Sequence, residues 1–267
     1  MDSSLTRPLA VVTGASSGIG YELALQFAQN GFDLLVTSTG PSINEAAKTC
    51  RGLGGFVETV QADLATYDGV ETLYNKIKAT GRPVDAIAIN AGVGVGGEFA
   101  RETDLKDELN LINLNVVSSV HLAKRVVKDM VERGNGRILF TSSIAALMPG
   151  PFEAVYAASK AFLHSFSEAL RNELKDTGVS VTALMPGPTD TNFFHRADMD
   201  DTKVGASKKD DPAEVAKQGF DALMAGKDDI IAGSLKTKLQ GTVSKVLPET
   251  VNAEQHRNLS EPGSANK

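Results

Sequence analysis

Tyr156 and Lys160 stand four residues apart in a stretch, 152–177, whose apolar spacing predicts a helix, so their side chains share one face about one turn apart. An ammonium beside a phenol favours phenolate and draws a tyrosine down from its ordinary pKa of about 10. Tyr156 is thereby a general acid for a carbonyl being reduced. Ser143 ends the segment Phe140-Thr141-Ser142-Ser143, at the close of an apolar run, where its hydroxyl could bond the same carbonyl oxygen. The structural use of such a serine is a turn or a helix cap. Asn115, in Ile112-Asn113-Leu114-Asn115-Val116, is polar within an apolar helical stretch and needs partners, which a helix kink or an ordered water would supply.

A second group of residues suits a phosphate. The first apolar run leads into Thr13-Gly14-Ala15-Ser16-Ser17-Gly18-Ile19-Gly20, and helical spacing follows. A glycine-rich turn between strand and helix aims backbone N–H groups and the positive helix end at an anion. Gly14, Ser16, Ser17, Gly18, Ile19 and Gly20 therefore form the predicted pyrophosphate cradle of a dinucleotide. The spacing, Gly-x3-Gly-x-Gly, departs from the usual Gly-x-Gly-x2-Gly, and its place between first strand and first helix gives it meaning. The ribose acceptor belongs after the second strand, where Ser38 and Thr39 stand without a carboxylate or an arginine. Hydroxyls can donate to a 2′-phosphate, so the expectation is NADP(H), with NAD(H) possible. Asp63 is placed to accept from the adenine amino group, with Leu64 beside it; a helix N-cap is the structural alternative for Asp63. Asn90, Ala91 and Gly92 end the fourth strand beside the cofactor.

The elements that must carry these residues are legible as alternation. Short Val-, Ile- and Leu-rich runs at 9–13, 32–36, 56–60, 84–90, 137–141, 180–185 and 229–232 suit strands buried on both faces. Helical patterns lie between them at 18–30, 43–53, 67–79, 105–133 with a break, 152–177 and 212–225. Strand alternating with helix predicts an α/β fold: one doubly wound parallel sheet of about seven strands, Rossmann-type, with helices on both faces. With 267 residues and no linker, a single domain is expected, its core at about 9–233. Residues 191–211 read as a lid or binding loop. In the extension 234–267, residues 235–247 have helical spacing and 261–267 read as a frayed end.

Composition narrows the chemistry. The chain is 42% hydrophobic and 22% charged with a net charge of −6, which argues against disorder and against nucleic acid or anionic lipid as partners. Cys50 is the only cysteine and four scattered histidines have no ligand spacing, so no metal is expected and a cytosolic location is. No signal peptide or membrane span is read.

Together, the glycine loop 13–20, Asn90-Ala91-Gly92, Asn115, Ser143 and the Tyr156-x3-Lys160 pair, in this order and at these separations, resemble the short-chain dehydrogenase/reductases of standard length. Pro186-Gly187-Pro188-Thr189-Asp190-Thr191 is similar to that family's Pro-Gly-x3-Thr, which implies that Pro186, Gly187, Thr189 and Thr191 lie near the nicotinamide. The resemblance, covering about 9–233, implies Tyr156 as proton donor, Lys160 on the nicotinamide ribose, Ser143 orienting the carbonyl and Asn115 holding a water linked to Lys160. It also implies a homodimer or homotetramer paired through 116–133 and 152–177. The departure is at the cofactor-selecting positions, where NADP-dependent members commonly carry Arg or Lys and this chain has Ser17, Ser38 and Thr39.

Val93, Ala145, Met148, Phe152, Phe193 and Phe194 are expected to line an apolar substrate pocket, with Pro149 and Met199 nearby. The expected activity is NADP(H)-dependent reduction of a small hydrophobic ketone or aldehyde, of carbonyl-reductase or 3-oxoacyl-reductase type. NAD-dependent alcohol oxidation and a non-catalytic dinucleotide sensor are the alternatives.

Overall fold

The computed structural model describes residues 7–266. Seven strands, β1 (Leu9–Thr13), β2 (Asp33–Ser38), β3 (Val57–Gln61), β4 (Ala86–Ile89), β5 (Gly136–Thr141), β6 (Val179–Pro186) and β7 (Asp229–Ala232), form one sheet in the order β3-β2-β1-β4-β5-β6-β7. Every pairing is parallel. The order reverses between β1 and β4, and the open carboxyl ends on either side of that point make a ligand crevice.

Successive residues of a strand face opposite sides, which builds two cores. Ala10, Val12, Leu34 and Val36 pack under α1 (Gly18–Gln29), α2 (Ile43–Arg51) and α9 (Pro212–Met224). Leu9, Val11, Leu35, Ile87 and Phe140 pack under α3 (Tyr67–Ala79), α5 (Ser118–Arg133) and α6 (Ala154–Leu174). Such two-sided burial is why the strands read as continuous apolar runs.

The expected break in 105–133 is a π-turn, Asn113–Val117, between α4 (Leu105–Ile112) and α5. The segment after β6 holds two single-turn helices, α7 (Phe193–Arg196) and α8 (Lys203–Ala206), over a small core of Phe194, Ala197 and Met199. The extension folds as α10 (Leu235–Ser244) and α11 (Glu249–Ser260). Near its end, where fraying is expected, Gly263 N donates to the Asp201 carboxylate at 2.7 Å and Ala265 N to the Asp201 carbonyl at 2.9 Å. Backbone bonds of that kind hold a polar tail that composition alone marks as loose. Lys267 lies outside the described residues.

Candidate active site

The glycine loop joins β1 to α1. Gly14 and Gly18 sit at φ 67° and 57°, in the left-handed region that disfavours a side chain. A Cβ on Gly14 would meet Ala91 Cα at 2.9 Å, and one on Gly18 would meet Thr191 Cγ2 at 2.9 Å, so Gly14 lets backbone approach backbone and Gly18 leaves room for the Thr191 side chain. Ser17, the N-cap of α1, is extended and makes no side-chain bond to the helix, and no acidic residue stands in the first turn. The first amides of α1 thus face the crevice unsatisfied, the arrangement a pyrophosphate fits.

The carboxyl ends of three strands are tied together beneath this loop. Thr13 Oγ1 accepts from the backbone N–H groups of Asn90 and Ala91, each at 2.9 Å. Asn90 Nδ2 donates to the Thr13 carbonyl at 3.1 Å, and its Oδ1 accepts from Thr141 Oγ1 at 3.0 Å. The Thr141 carbonyl in turn accepts from Lys160 Nζ at 2.9 Å. The lysine, rooted in α6, is thereby fixed against β5.

Asn115 is fully buried in the π-turn. Its Nδ2 donates to the Val93 carbonyl at 2.9 Å and to Ser159 Oγ at 3.0 Å, while Oδ1 accepts from Val93 N at 3.0 Å. The partners that a polar residue in an apolar stretch requires thus come from the loop after β4 and from α6 rather than from the kink itself. A Cβ placed on Gly92 would lie 3.1 Å from Asn115 Oδ1 and 3.3 Å from Lys160 Nζ, so the asparagine and the lysine border the same small space.

Ser143 caps a short 3₁₀ turn, Ile144–Leu147, its Oγ accepting from Ala145 N at 3.1 Å. The capping use and a place beside the phenol coexist in this residue. Tyr156 is buried, and that burial pushes its phenol well above the usual tyrosine range; the charge of Glu153 adds to the rise, and a hydrogen bond from the Ser143 hydroxyl opposes it. The expectation that Lys160 draws the phenol towards neutrality is corrected in this state. Its Nζ lies 5.6 Å from the ring centroid, and burial of the ring sets the direction of the shift. Burial also lowers Lys160 itself, from 10.5 to about 8.

One cavity of about 600 Å³ joins these groups. Gly14, Ser16 to Gly20, Ser38, Thr39, Leu64 and Asn90 to Gly92 line one arm, and Ser143, Tyr156, Lys160, Pro186, Gly187, Thr189 and Thr191 line its centre. Val93, Ala145, Met148, Phe193 and Phe194 line the remaining wall, with the Phe193 ring 5.1 Å from that of Tyr156.

Three expected residues lie elsewhere. Asp63 is exposed and closes a local turn, its Oδ1 accepting from Ala65 N at 3.0 Å. Phe152, at φ 66°, lies outside the lining and packs beneath the Arg257 guanidinium, 4.9 Å from its ring centroid. Asn115 stands behind the wall rather than in it. Sequence reasoning missed Glu153, Gln255, His256, Leu259 and Ser260, all of which line the cavity. Only Glu153 carried a signal, three residues before Tyr156 on the same helix face. No group of three His, Cys, Asp or Glu able to hold a metal occurs among the described residues.

The site is that of a dinucleotide-dependent oxidoreductase on an α/β sheet. Residues 8–202 match the family model described as short chain dehydrogenase, and the chain belongs to that family. An uncharacterized oxidoreductase of Staphylococcus saprophyticus is 32% identical over 221 residues, covering 82% of this chain and 92% of that protein. A ketoacyl reductase of a Nostoc species is 28% identical over 261 residues, 93% of this chain and 88% of that one. Among solved structures, a short-chain dehydrogenase from Sphingobium yanoikuyae in complex with NADPH superposes with a TM-score of 0.78 at 28% identity, covering 90% of this chain and 96% of that chain.

Proposed function

We propose that the chain reduces an apolar ketone or aldehyde with NADPH, Tyr156 giving its proton to the carbonyl oxygen. The observation that carries this reading is the buried Tyr156 ring beside Ser143 and Lys160, sharing a cavity with the wall of Val93, Ala145, Met148, Phe193 and Phe194. The burial that raises the Tyr156 phenol works against donation, and it is offset as negative charge develops on the carbonyl oxygen and makes it a stronger acceptor. Ser143 orients that oxygen. Lys160 holds the nicotinamide ribose, and Asn115, bordering the same space, positions the group through which the proton is replaced.

The uncapped N-terminus of α1 and the glycines that keep backbone close to it fit the pyrophosphate; Ser38 and Thr39 fit the adenosine ribose end. Bound there, the nicotinamide supplies the hydride. The absence of a carboxylate at Ser38-Thr39-Gly40 favours NADPH over NADH, and the NADPH held by the Sphingobium relative supports that choice. The Nostoc relative's name supports reduction as the direction. The protein is read as cytosolic and as a homo-oligomer pairing through α5 and α6, whose region exposes Phe99, Val117 and Phe162. No helix among the described residues is long and apolar enough to cross a membrane.

The test is NADPH and NADH consumption across a panel of aliphatic, aryl and 3-oxoacyl carbonyl compounds. Turnover with NADPH on apolar ketones at a higher kcat/KM than with NADH is expected; a strong NADH preference, or no turnover on any member, overturns the reading.

A further inference from the structure

Glu153 immediately precedes α6, at its N-cap position, yet makes no side-chain bond to that helix. A carboxylate at a helix N-terminus ordinarily turns back to the free amides. This one is buried and turned to the extension instead: its Oε2 accepts from His256 Nε2 at 3.0 Å and from Ser260 Oγ at 3.0 Å. The two donors stand one turn apart on α11, more than a hundred residues along the chain, and converge on a single oxygen. No described residue donates to Oε1, and that oxygen is not among the sealed atoms that lack a partner. His256 is the only ion-pair partner of Glu153 among the described residues, so no lysine or arginine covers it.

Glu153, His256 and Ser260 all border the catalytic cavity, where Leu259 adds apolar surface and Gln255 a polar group. A buried carboxylate with an open oxygen on a cavity wall is how a site fixes the orientation of a ligand that carries a donor. An open buried acceptor also penalises a ligand that leaves it unpaired. We propose that Glu153 is a specificity-determining residue that accepts a hydrogen bond from a hydroxyl or ammonium group on an otherwise apolar carbonyl substrate, with His256 and Ser260 of α11 as positioning residues that hold it. The inference rests on the carbonyl-reductase reading above and names its substrate class. That Tyr156 feels the charge of Glu153 agrees with the two lying at the same end of the pocket. The extension is then part of the active site: α11 supplies the grip that keeps the Glu153 carboxylate facing the cavity.

The test uses three aryl alkyl ketones matched in length, their chains ending in methyl, hydroxyl or ammonium. Each is assayed by NADPH consumption and by titration into the protein–NADPH complex. The wild type is expected to favour the hydroxyl or ammonium ketone over the methyl one by tenfold or more, in Kd and in kcat/KM. The better donor tells the two ligand classes apart. Glu153→Leu brings the ratio to within threefold of one. Glu153→Gln, which preserves shape, keeps most of a hydroxyl preference and loses an ammonium preference. His256→Leu lowers the ratio, and His256→Gln, which retains a donor, restores it; a merely structural clasp would move stability and leave the ratio alone. Equal binding of the three ketones by the wild type, or a ratio unchanged in both Glu153 variants, overturns the proposal. Absence of NADPH consumption on all three counts against the reductase reading, while the binding ratio still decides the role of Glu153.

Discussion

Lys160 faces Tyr156 across 5.6 Å, ammonium to ring centroid, while giving its hydrogen bond to the Thr141 carbonyl. The lysine is thus anchored to the sheet rather than to the phenol. Burial dominates both groups and moves them in opposite directions, the phenol up and the ammonium down, because each loses solvation of its charged form.

Tyr156→Phe keeps the ring that packs against Phe193 and removes only the hydroxyl. Turnover is expected to fall at least 10³-fold, on the order of 4 kcal/mol in the barrier. NADPH affinity stays within a few-fold, measured by quenching or enhancement of nucleotide fluorescence.

Lys160 gives a pH dependence with a definite sign. Its folded-state value of about 8 lies below the ordinary 10.5, so between those values the unfolded chain holds more protons than the folded one, and the wild type gains stability as pH rises through that window. Below pH 8 the charged, buried ammonium costs stability, roughly 3–4 kcal/mol at about 1.4 kcal/mol per unit. Lys160→Met is therefore expected to raise the Tm at pH 7 while nearly abolishing activity. Thermal melts from pH 7 to pH 10.5 should show that advantage shrinking with pH.

Ser143→Ala removes a carbonyl donor and also the cap on Ala145 N. A fall in kcat of about 10²-fold with little change in KM marks the donor role, as expected for an interaction that strengthens in the transition state. Loss of the cap costs about 1 kcal/mol in urea denaturation.

Gly18→Ala is strained by its positive φ and directs a methyl at Thr191. Isothermal titration should show NADPH binding weakened tenfold or more. Gly31→Ala, also at positive φ but with open space around the added Cβ, is expected to cost about 1 kcal/mol of stability and leave NADPH binding unchanged.

Phe193→Ala opens the wall against Tyr156 and Phe194. KM for an aryl ketone should rise about tenfold, with kcat changed less, since the ring binds ground and transition states alike.

The sheet was legible because it is encoded locally, and so were the order and spacing of the candidate catalytic residues and of the glycine loop. Apolar runs mark doubly covered strands, glycines mark turns that a Cβ would obstruct, and Tyr156 with Lys160 share a face through helical spacing alone. Three matters depended on the tertiary structure. The direction of the Tyr156 shift follows from how deeply the ring is covered, which spacing does not report. Asp63 and Phe152 left the site because a local turn and the Arg257 contact claimed them. The place of α11 depends on bonds between Glu153 and residues more than a hundred positions away, formed only when the extension docks. Local sequence carries propensity and periodicity; burial and long-range convergence are properties of the packed chain, and they decided what surrounds the reacting groups.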